Sequence, residues 1–241
     1  MKIRIFADET IEVDLAAITT GLQRVAPSFA WTVGRVPFGL RESIVSYPKT
    51  YRTLDPKVLS EGKADDQILL VTDKPYNNEY FWDAGINNAV VISLAGWERL
   101  TNLPRPNGIV YFAVAILVQE LEVGCSHDVA KTGCVNDFWD DKKEVDAGMR
   151  AAYLCPDCLK RHDKSAGRAS AAQLRELKAI LDDLSFASRA NEDIIEFWRR
   201  ASRVASPSGF DVFMCHNSRD KDAIRKLNTQ LKARGNSHLA G

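Results

Sequence analysis

Four cysteines in one short segment constrain this chain more than any other feature. Cys125 and Cys134 are followed by a C-P-D-C pair, Cys155 and Cys158. A tetrahedral zinc site needs four ligands, at a Zn–S distance of about 2.3 Å for thiolates, and a C-x-x-C turn supplies two sulfurs from one backbone reversal. A glycine precedes both Cys125 and Cys134, in a turn-rich stretch that can fold back as the second half-site. The sequence therefore predicts one structural zinc ion bound by Cys125, Cys134, Cys155 and Cys158.

Three other roles for these thiols compete with zinc: two disulfides, a redox-active pair, or four unrelated core positions. No signal peptide is recognised ahead of the first strand, so a reducing cytoplasm is expected and stable disulfides are disfavoured. A redox pair normally opens a helix after a strand, whereas Cys158 is followed by the basic residues 159–162. His127 is a rival ligand because sites of three cysteines and one histidine also occur. A loop histidine beside Asp128 is more often solvated, so His127 ranks below the cysteines.

Charge and hydropathy exclude several classes of partner. The 241 residues carry 32 Lys and Arg against 32 Asp and Glu, so no global field favours nucleic acid or an anionic membrane. The longest apolar run, residues 109–118, has the size of a core helix and is too short for a membrane span. We expect a cytoplasmic protein that contacts neither membrane nor nucleic acid.

Hydrophobic periodicity predicts an α/β fold. Residues 2–6, 29–36, 67–72 and 88–94 have the pattern of strands, and residues 13–22 have helical spacing. Residues 39–55 are polar and turn-rich, so they are interpreted as an excursion. Residues 109–122 are apolar almost all round, which is typical of a buried helix. Together these elements predict a mixed sheet with a buried central helix and a four-cysteine zinc knot, over residues 1–162.

The order of these elements, ending in a central helix and a C-x-x-C zinc knot, resembles the archaemetzincin type of metalloprotease. The resemblance covers roughly residues 1–162 and implies a catalytic zinc on a helical H-E-x-x-H motif, followed by four cysteines for a structural zinc. Here the corresponding segment, residues 119–125, keeps Glu120 alone of that motif. Gln119 and Val123 stand where paired imidazoles would be needed, so no catalytic residue is assigned and no peptide hydrolysis is expected.

Residues 163–205 have helical spacing of apolar residues, with a predicted break near 185–191. We interpret them as a helical connector. Its apolar stripe can pack on the first domain or pair between chains, and packing within the chain is favoured because the periodic stretch is short for a coiled coil.

The C-terminal residues 206–241 resemble the beginning of a TIR domain. An F-D-V-F strand at 210–213 is followed by a polar loop and an amphipathic helix that ends near Gly235. The resemblance implies an NAD-cleaving or signalling module, but the later strands and the catalytic glutamate of that family have no counterpart here. The predicted strand continues to Cys215, two residues after Phe213, and a small core thiol is the expected role of this cysteine.

These elements combine into one functional hypothesis. The sequence predicts a zinc-stabilised sensing or assembly domain fused to an incomplete TIR module of bacterial antiviral defence, with a protein partner or self-association. An archaemetzincin-like peptidase that has lost its ligands and a plain protein-interaction module are the alternatives.

Overall fold

The computed structural model describes residues 1–204, apart from 63–65, 79, 84, 87, 125, 126, 128–131, 140, 166 and 167. Cys125, Cys215 and the TIR-like segment therefore lie outside the described residues. The chain divides into two compact units, Met1–Phe197 and Trp198–Gly241. The division into 1–162, 163–205 and 206–241 stays a prediction.

Four parallel strands form the centre of the first unit. They are β1 (Lys2–Ala7), β2 (Ala30–Val33), β3 (Gln67–Thr72) and β4 (Ala89–Ser93), in the order β2-β1-β3-β4. Every residue of β3 and β4 is buried, as expected for continuous apolar runs covered on both faces. The α/β class is confirmed.

The described strands pair only in parallel, whereas the sequence predicted a mixed sheet. An antiparallel contact lies beside them, as an isolated bridge between Trp82 and Ile92. The N–H of Ser93 also donates to the carbonyl of Phe81 at 2.7 Å. Residues 81–82 therefore lie along β4 without forming a strand of their own.

Nine helices are found in the described part of the chain. Periodicity did not reveal α2, α3, α4, α6 and α7, because four to ten residues are too few to establish a 3.6-residue repeat. In chain order the helices are α1 (Leu15–Val25), α2 (Lys49–Arg52), α3 (Pro56–Ser60), α4 (Trp97–Leu100), α5 (Arg105–Glu120), α6 (Glu144–Ala151), α7 (Pro156–Ser165), α8 (Ala171–Arg189) and α9 (Ile194–Val204).

Helix α5 is the predicted central helix, and it is buried on all sides from Asn107 to Val118. It begins four residues before the predicted start, because Pro106 lies in the first turn, where a missing N–H is tolerated. It ends two residues early, where Glu122 adopts a φ of 54° and the N–H of Val123 donates to the carbonyl of Val118 at 2.8 Å. That left-handed residue turns the chain toward the cysteine segment.

Helix α8 packs against α1, α5 and α6, and its apolar stripe is buried within the chain. Its first turn has a capping box between Ser170 and Gln173. The break between α8 and α9 falls at residues 190–193, at the end of the predicted interval. No helix among the described residues is both long and apolar enough to span a bilayer.

Candidate metal centre and the adjacent cavity

Four side chains converge at the carboxyl end of α5. The ligand atoms of His127, Cys134, Cys155 and Cys158 all lie within 4.8 Å of one another. Cys134 Sγ is 4.0 Å from Cys158 Sγ, and His127 Nε2 is 3.5 Å from Cys155 Sγ. Bonds of about 2.3 Å to sulfur and 2.0 Å to nitrogen in a tetrahedron require S···S and N···S separations of about 3.8 and 3.5 Å. These two separations are therefore those of a tetrahedral zinc site, while the contact of 3.0 Å between His127 Nε2 and Cys158 Sγ is shorter.

The C-P-D-C pair is held by the first turn of α7. Cys155 immediately precedes this helix, and Pro156 occupies its first position, which favours helix initiation. The N–H of Cys158 donates to Cys155 Sγ at 3.4 Å, and the N–H of Cys155 donates to Cys134 Sγ at 3.4 Å. These N–H groups stabilise thiolate sulfurs, as the positive end of a helix does.

His127 is positioned by a backbone bridge to the segment after Cys134. Its N–H donates to the carbonyl of Asn136 at 3.0 Å, and its carbonyl accepts from the N–H of Phe138 at 3.2 Å. Its Nε2 lies 3.0 Å from Cys158 Sγ, while its Nδ1 lies 3.8 Å from Oδ1 of Asp137. A carboxylate behind a ligating imidazole is the usual means of orienting it toward a metal.

Asp137 is itself fixed on the side away from the metal cluster. Its Oδ2 accepts the N–H of Thr132 at 2.6 Å and the N–H of Gly133 at 2.7 Å, and its side chain is 1% exposed. This carboxylate therefore organises the loop that carries Cys134 and at the same time faces the imidazole of His127.

Both glycines that precede a cysteine of the sequence prediction have left-handed backbone. Gly124 has a φ of +92° and Gly133 has a φ of +83°, and residues other than glycine rarely adopt these backbone angles. A Cβ at Gly133 would also lie 2.4 Å from the Cβ of Ala151. The glycines thus allow close approach of the loop to the α6–α7 segment.

The buried thiol of Cys134 needs a nearby cation to ionise. Burial raises the pKa of the Cys134 thiol to about 12, so without a metal it is protonated at neutral pH. A zinc ion would reverse this balance, because a coordinating thiol is deprotonated outright. His127, Cys134, Cys155 and Cys158 would give it four protein ligands, the number typical of structural zinc sites.

Three of the four predicted ligands are thus brought together, namely Cys134, Cys155 and Cys158. Cys125 lies outside the described residues, and His127 takes the fourth corner of the cluster. The sequence offers His127 as a rival ligand, but its pairing with Asp137 depends on a bridge between two loop segments that no periodic pattern indicates.

A cavity of about 240 Å³ lies between α5 and the loop after Cys134. Helix α5 contributes Tyr111, Ala115 and Gln119 to its wall, at successive four-residue intervals, together with Phe112. These side chains carry a phenol, a methyl group, an amide and a phenyl ring, and no imidazole. Val123 lies beyond the end of the helix, so residues 119 and 123 do not form a helical pair.

Aromatic side chains from three separate segments make up half of the residues that line the cavity. Phe81 stacks on Phe112 with a centroid distance of 4.8 Å, and Tyr111 stacks on Trp139 at 5.4 Å. The sequence analysis did not identify this cavity, because its walls are distant in the chain and each aromatic has the pattern of an ordinary core residue. The lining residues are Tyr80, Phe81, Trp82, Asp83, Tyr111, Phe112, Ala115, Gln119, Val135, Asn136, Asp137, Phe138, Trp139 and Lys142.

No protein-family model matches the sequence, and no curated protein matches it significantly. Among solved structures the chain is similar to archaemetzincin from Archaeoglobus fulgidus complexed with malonate, with 19% identity and a TM-score of 0.47, covering 67% of this chain and 99% of that one. It is also similar to a zinc-dependent peptidase from Methanocorpusculum labreanum, with 18% identity and a TM-score of 0.48, covering 65% and 97% of the two chains. At such low similarity, the activity of this chain has to be argued from its own residues.

The comparisons give no support to the TIR interpretation of the C-terminal segment, which falls on residues outside the described part of the chain.

Proposed function

We propose that the protein is a zinc-stabilised α/β binding domain without peptidase activity. The observation that carries this proposal is the closed cluster of three cysteines and one histidine beside a cavity wall without imidazoles. Cys134 and Cys158 are fully buried and Cys155 is 6% exposed, so water has little access to the metal position. A zinc ion held in this way stabilises the loops around it and has no open coordination site for a reacting water.

A peptidase of archaemetzincin type is the alternative, and the residues of α5 argue against it. Water activation by zinc needs three protein ligands and a vacant position over the substrate cleft. The described residues contain one group of His, Cys, Asp and Glu that could hold a metal, and that group is the closed cluster. Glu120 is exposed at the end of α5, without a metal-binding partner on the cavity face of that helix.

Metal content and peptidase assays test the proposal together. Inductively coupled plasma mass spectrometry should find about one zinc per purified chain. The metal should be lost in Cys155→Ser and Cys158→Ser. Cys215→Ser is the matched control and should retain the metal. Casein and unfolded-protein substrates should show no turnover. Zinc-free protein that is fully folded, or turnover that is lost on chelation and restored by zinc, would contradict the proposal.

A role in sensing or assembly, coupled to a TIR effector, is a second candidate that rests on the sequence of residues 210–235. Its partner would be another protein or a second copy of this chain. We expect no NAD hydrolysis by the 241-residue chain. Sequencing the source DNA past the codon of Gly241 would test this candidate, because a TIR remainder in the same reading frame would support it.

A further inference from the structure

One wall of the cavity beside α5 already carries a cation. Lys142 Nζ lies over the ring of Phe81, 4.7 Å from its centroid, and both residues line the cavity. An ammonium group at this distance from an aromatic face is attracted by the ring quadrupole. The ring of Phe81 also stacks on Phe112. The interior of the cavity is therefore suited to positive charge.

The remaining lining has the same electrostatic character. Tyr80, Trp82 and Trp139 add electron-rich rings, and these are the ring types that bind cations best. Asp83 contributes a carboxylate, against Lys142 as the cationic residue of the lining, while the carboxylate of Asp137 is already bonded to the N–H groups of Thr132 and Gly133. The aromatic faces and the acid around one ammonium favour a cationic ligand over an anionic one.

The volume of the cavity and its opening to solvent limit the size of the ligand. A volume of about 240 Å³ is below the range of about 300–1,000 Å³ typical of pockets for drug-sized ligands. Tyr80 and Phe138 meet edge to face at a centroid distance of 5.7 Å, and they are 39% and 40% exposed. Large aromatics that are half exposed at a cavity rim offer an entry for a compact group presented from solvent.

We propose that this cavity binds an alkylammonium group of the quaternary or N-methylated type, with Lys142 occupying the place of the ligand in the described conformation. The inference rests on the proposed role of the chain as a binding domain and names the ligand class of its cavity. A methylated ammonium matches the site better than a primary one, because its methyl groups contact ring faces and need no hydrogen-bond acceptors.

Two sources of this chemistry can be distinguished, a free choline-like molecule and a trimethyllysine side chain in a peptide. Zinc-loaded full-length protein is titrated calorimetrically with choline, with a trimethyllysine peptide and with 3,3-dimethylbutan-1-ol, the uncharged isostere of choline. We expect a cationic probe to bind and the isostere to bind at least about fivefold more weakly, since cation–π contacts contribute about 1 kcal/mol or more. If the peptide binds more tightly than choline, the natural ligand is a methylated lysine of a protein. If choline binds more tightly, the natural ligand is a free small molecule.

Lys142→Met removes the resident ammonium and keeps its aliphatic length. It should tighten binding of choline by about fivefold to tenfold, because one competing cation–π contact and one like charge are lost. Lys143→Met makes the same change of net charge on the neighbouring exposed side chain and should leave the affinity unchanged. Tyr80→Leu should weaken binding by removing a ring from the exposed rim.

Three results would overturn the inference: equal binding of choline and its isostere, equal effects of the two lysine variants, or no binding of any cationic probe to Lys142→Met. Zinc content and circular dichroism are measured on each variant. A Lys142→Met protein that keeps its zinc and its fold but binds no cationic probe defeats this inference alone. Unaltered protein that is folded without zinc contradicts the proposed function instead.

Discussion

A Cβ added to Gly124 would lie 2.5 Å from both Cβ and Sγ of Cys158. The loop after α5 thus passes so close to the C-P-D-C pair that no side chain fits between them. Gly124 also has a φ of +92°, so the backbone itself requires glycine here.

Gly124→Ala should therefore damage the metal cluster directly. We expect a loss of at least about 1–2 kcal/mol of stability from the left-handed backbone alone, with further loss from displacement of Cys158. Gly39→Ala is the control, because the nearest neighbours of its added Cβ would be side-chain atoms of Glu9 at 3.9 Å or more. Thermal unfolding and the rate of zinc release to a colorimetric chelator measure the difference. Equal zinc release from the two variants would contradict this account.

The fourth zinc ligand can be decided between His127 and Cys125. His127 Nε2 lies 3.0 and 3.5 Å from the sulfurs of Cys158 and Cys155, so His127→Ala should release the zinc or weaken its binding by well over about tenfold. Cys125→Ser should retain it. Cobalt substitution provides the readout, since its visible spectrum reports the number of thiolate ligands. A four-thiolate spectrum that persists in His127→Ala would restore the ligand set predicted from the sequence.

Removing the hydroxyl group should change the free energy of unfolding differently at two buried tyrosines, Tyr111 and Tyr76. The hydroxyl of Tyr111 has no hydrogen-bond partner among the described residues, and burial raises its pKa well above the ordinary value of 10, so it stays neutral. Tyr76 donates to the carbonyl of Val91 at 2.9 Å, and its hydroxyl lies 3.3 Å from that of Tyr51.

Tyr111→Phe should thus leave the free energy of unfolding unchanged or raise it by about 1 kcal/mol, because an unsatisfied buried polar group is removed. Tyr76→Phe should lower it by about 1–2 kcal/mol, since the carbonyl of Val91 loses its side-chain donor. Urea denaturation of the two variants in parallel gives both values. A larger loss in Tyr111→Phe than in Tyr76→Phe would show that the Tyr111 hydroxyl has a partner of its own.

We expect the free energy of unfolding to fall in acid, because Asp8 becomes protonated. Burial raises the pKa of this carboxyl, but the N–H groups of Leu40 and Thr10 and the charge of Lys74 outweigh it and hold the pKa below its usual 3.8. A depressed folded-state pKa adds stability that is present above the unfolded pKa and is lost as the pH falls through the folded one.

Asp8→Asn should consequently cost about 1–3 kcal/mol at pH 7, and less as the pH falls below about 4. Asp182→Asn makes the same chemical change at an exposed site on α8 and should have little effect at any pH. Unfolding free energies are compared between variants at each pH, so that acid release of zinc, common to all of them, cancels. A difference that does not shrink in acid would rule out the carboxylate as its source.

The parts of the fold that follow from local pattern could be predicted from the sequence. Residues 67–72 and 89–93 are continuous apolar runs, and their burial on both faces follows from that pattern. Helix α5 was recognisable in the same way, from an apolar surface with no polar side. Cys155 and Cys158 could be predicted as ligands because a C-x-x-C arrangement is rare and chemically specific, and Cys134 because it follows a glycine in a turn-rich stretch close to that pair.

The remaining features of the fold and the site could not be predicted from hydrophobic periodicity or spacing. His127 has a polar loop as its local context, and only its bridge to Asp137 directs the imidazole toward the thiols. The C-x-x-C spacing predicts a turn at Pro156. In the structure Pro156 is instead the first residue of α7, a position that proline also favours. The cavity combines residues near 81, 111 and 139, and no periodicity relates them.

The buried side chain of Asn107 has a consequence for how the protein is made. Its amide donates to the carbonyl of Glu192 at 3.1 Å and accepts the N–H of Ile194 at 3.0 Å, although these residues follow it by 85 and 87 positions. A chain that emerges from the ribosome amino end first has completed α5 long before these partners exist. The side chain of Asn107 can therefore reach its final hydrogen bonds only after residue 194 has been synthesised and released from the exit tunnel.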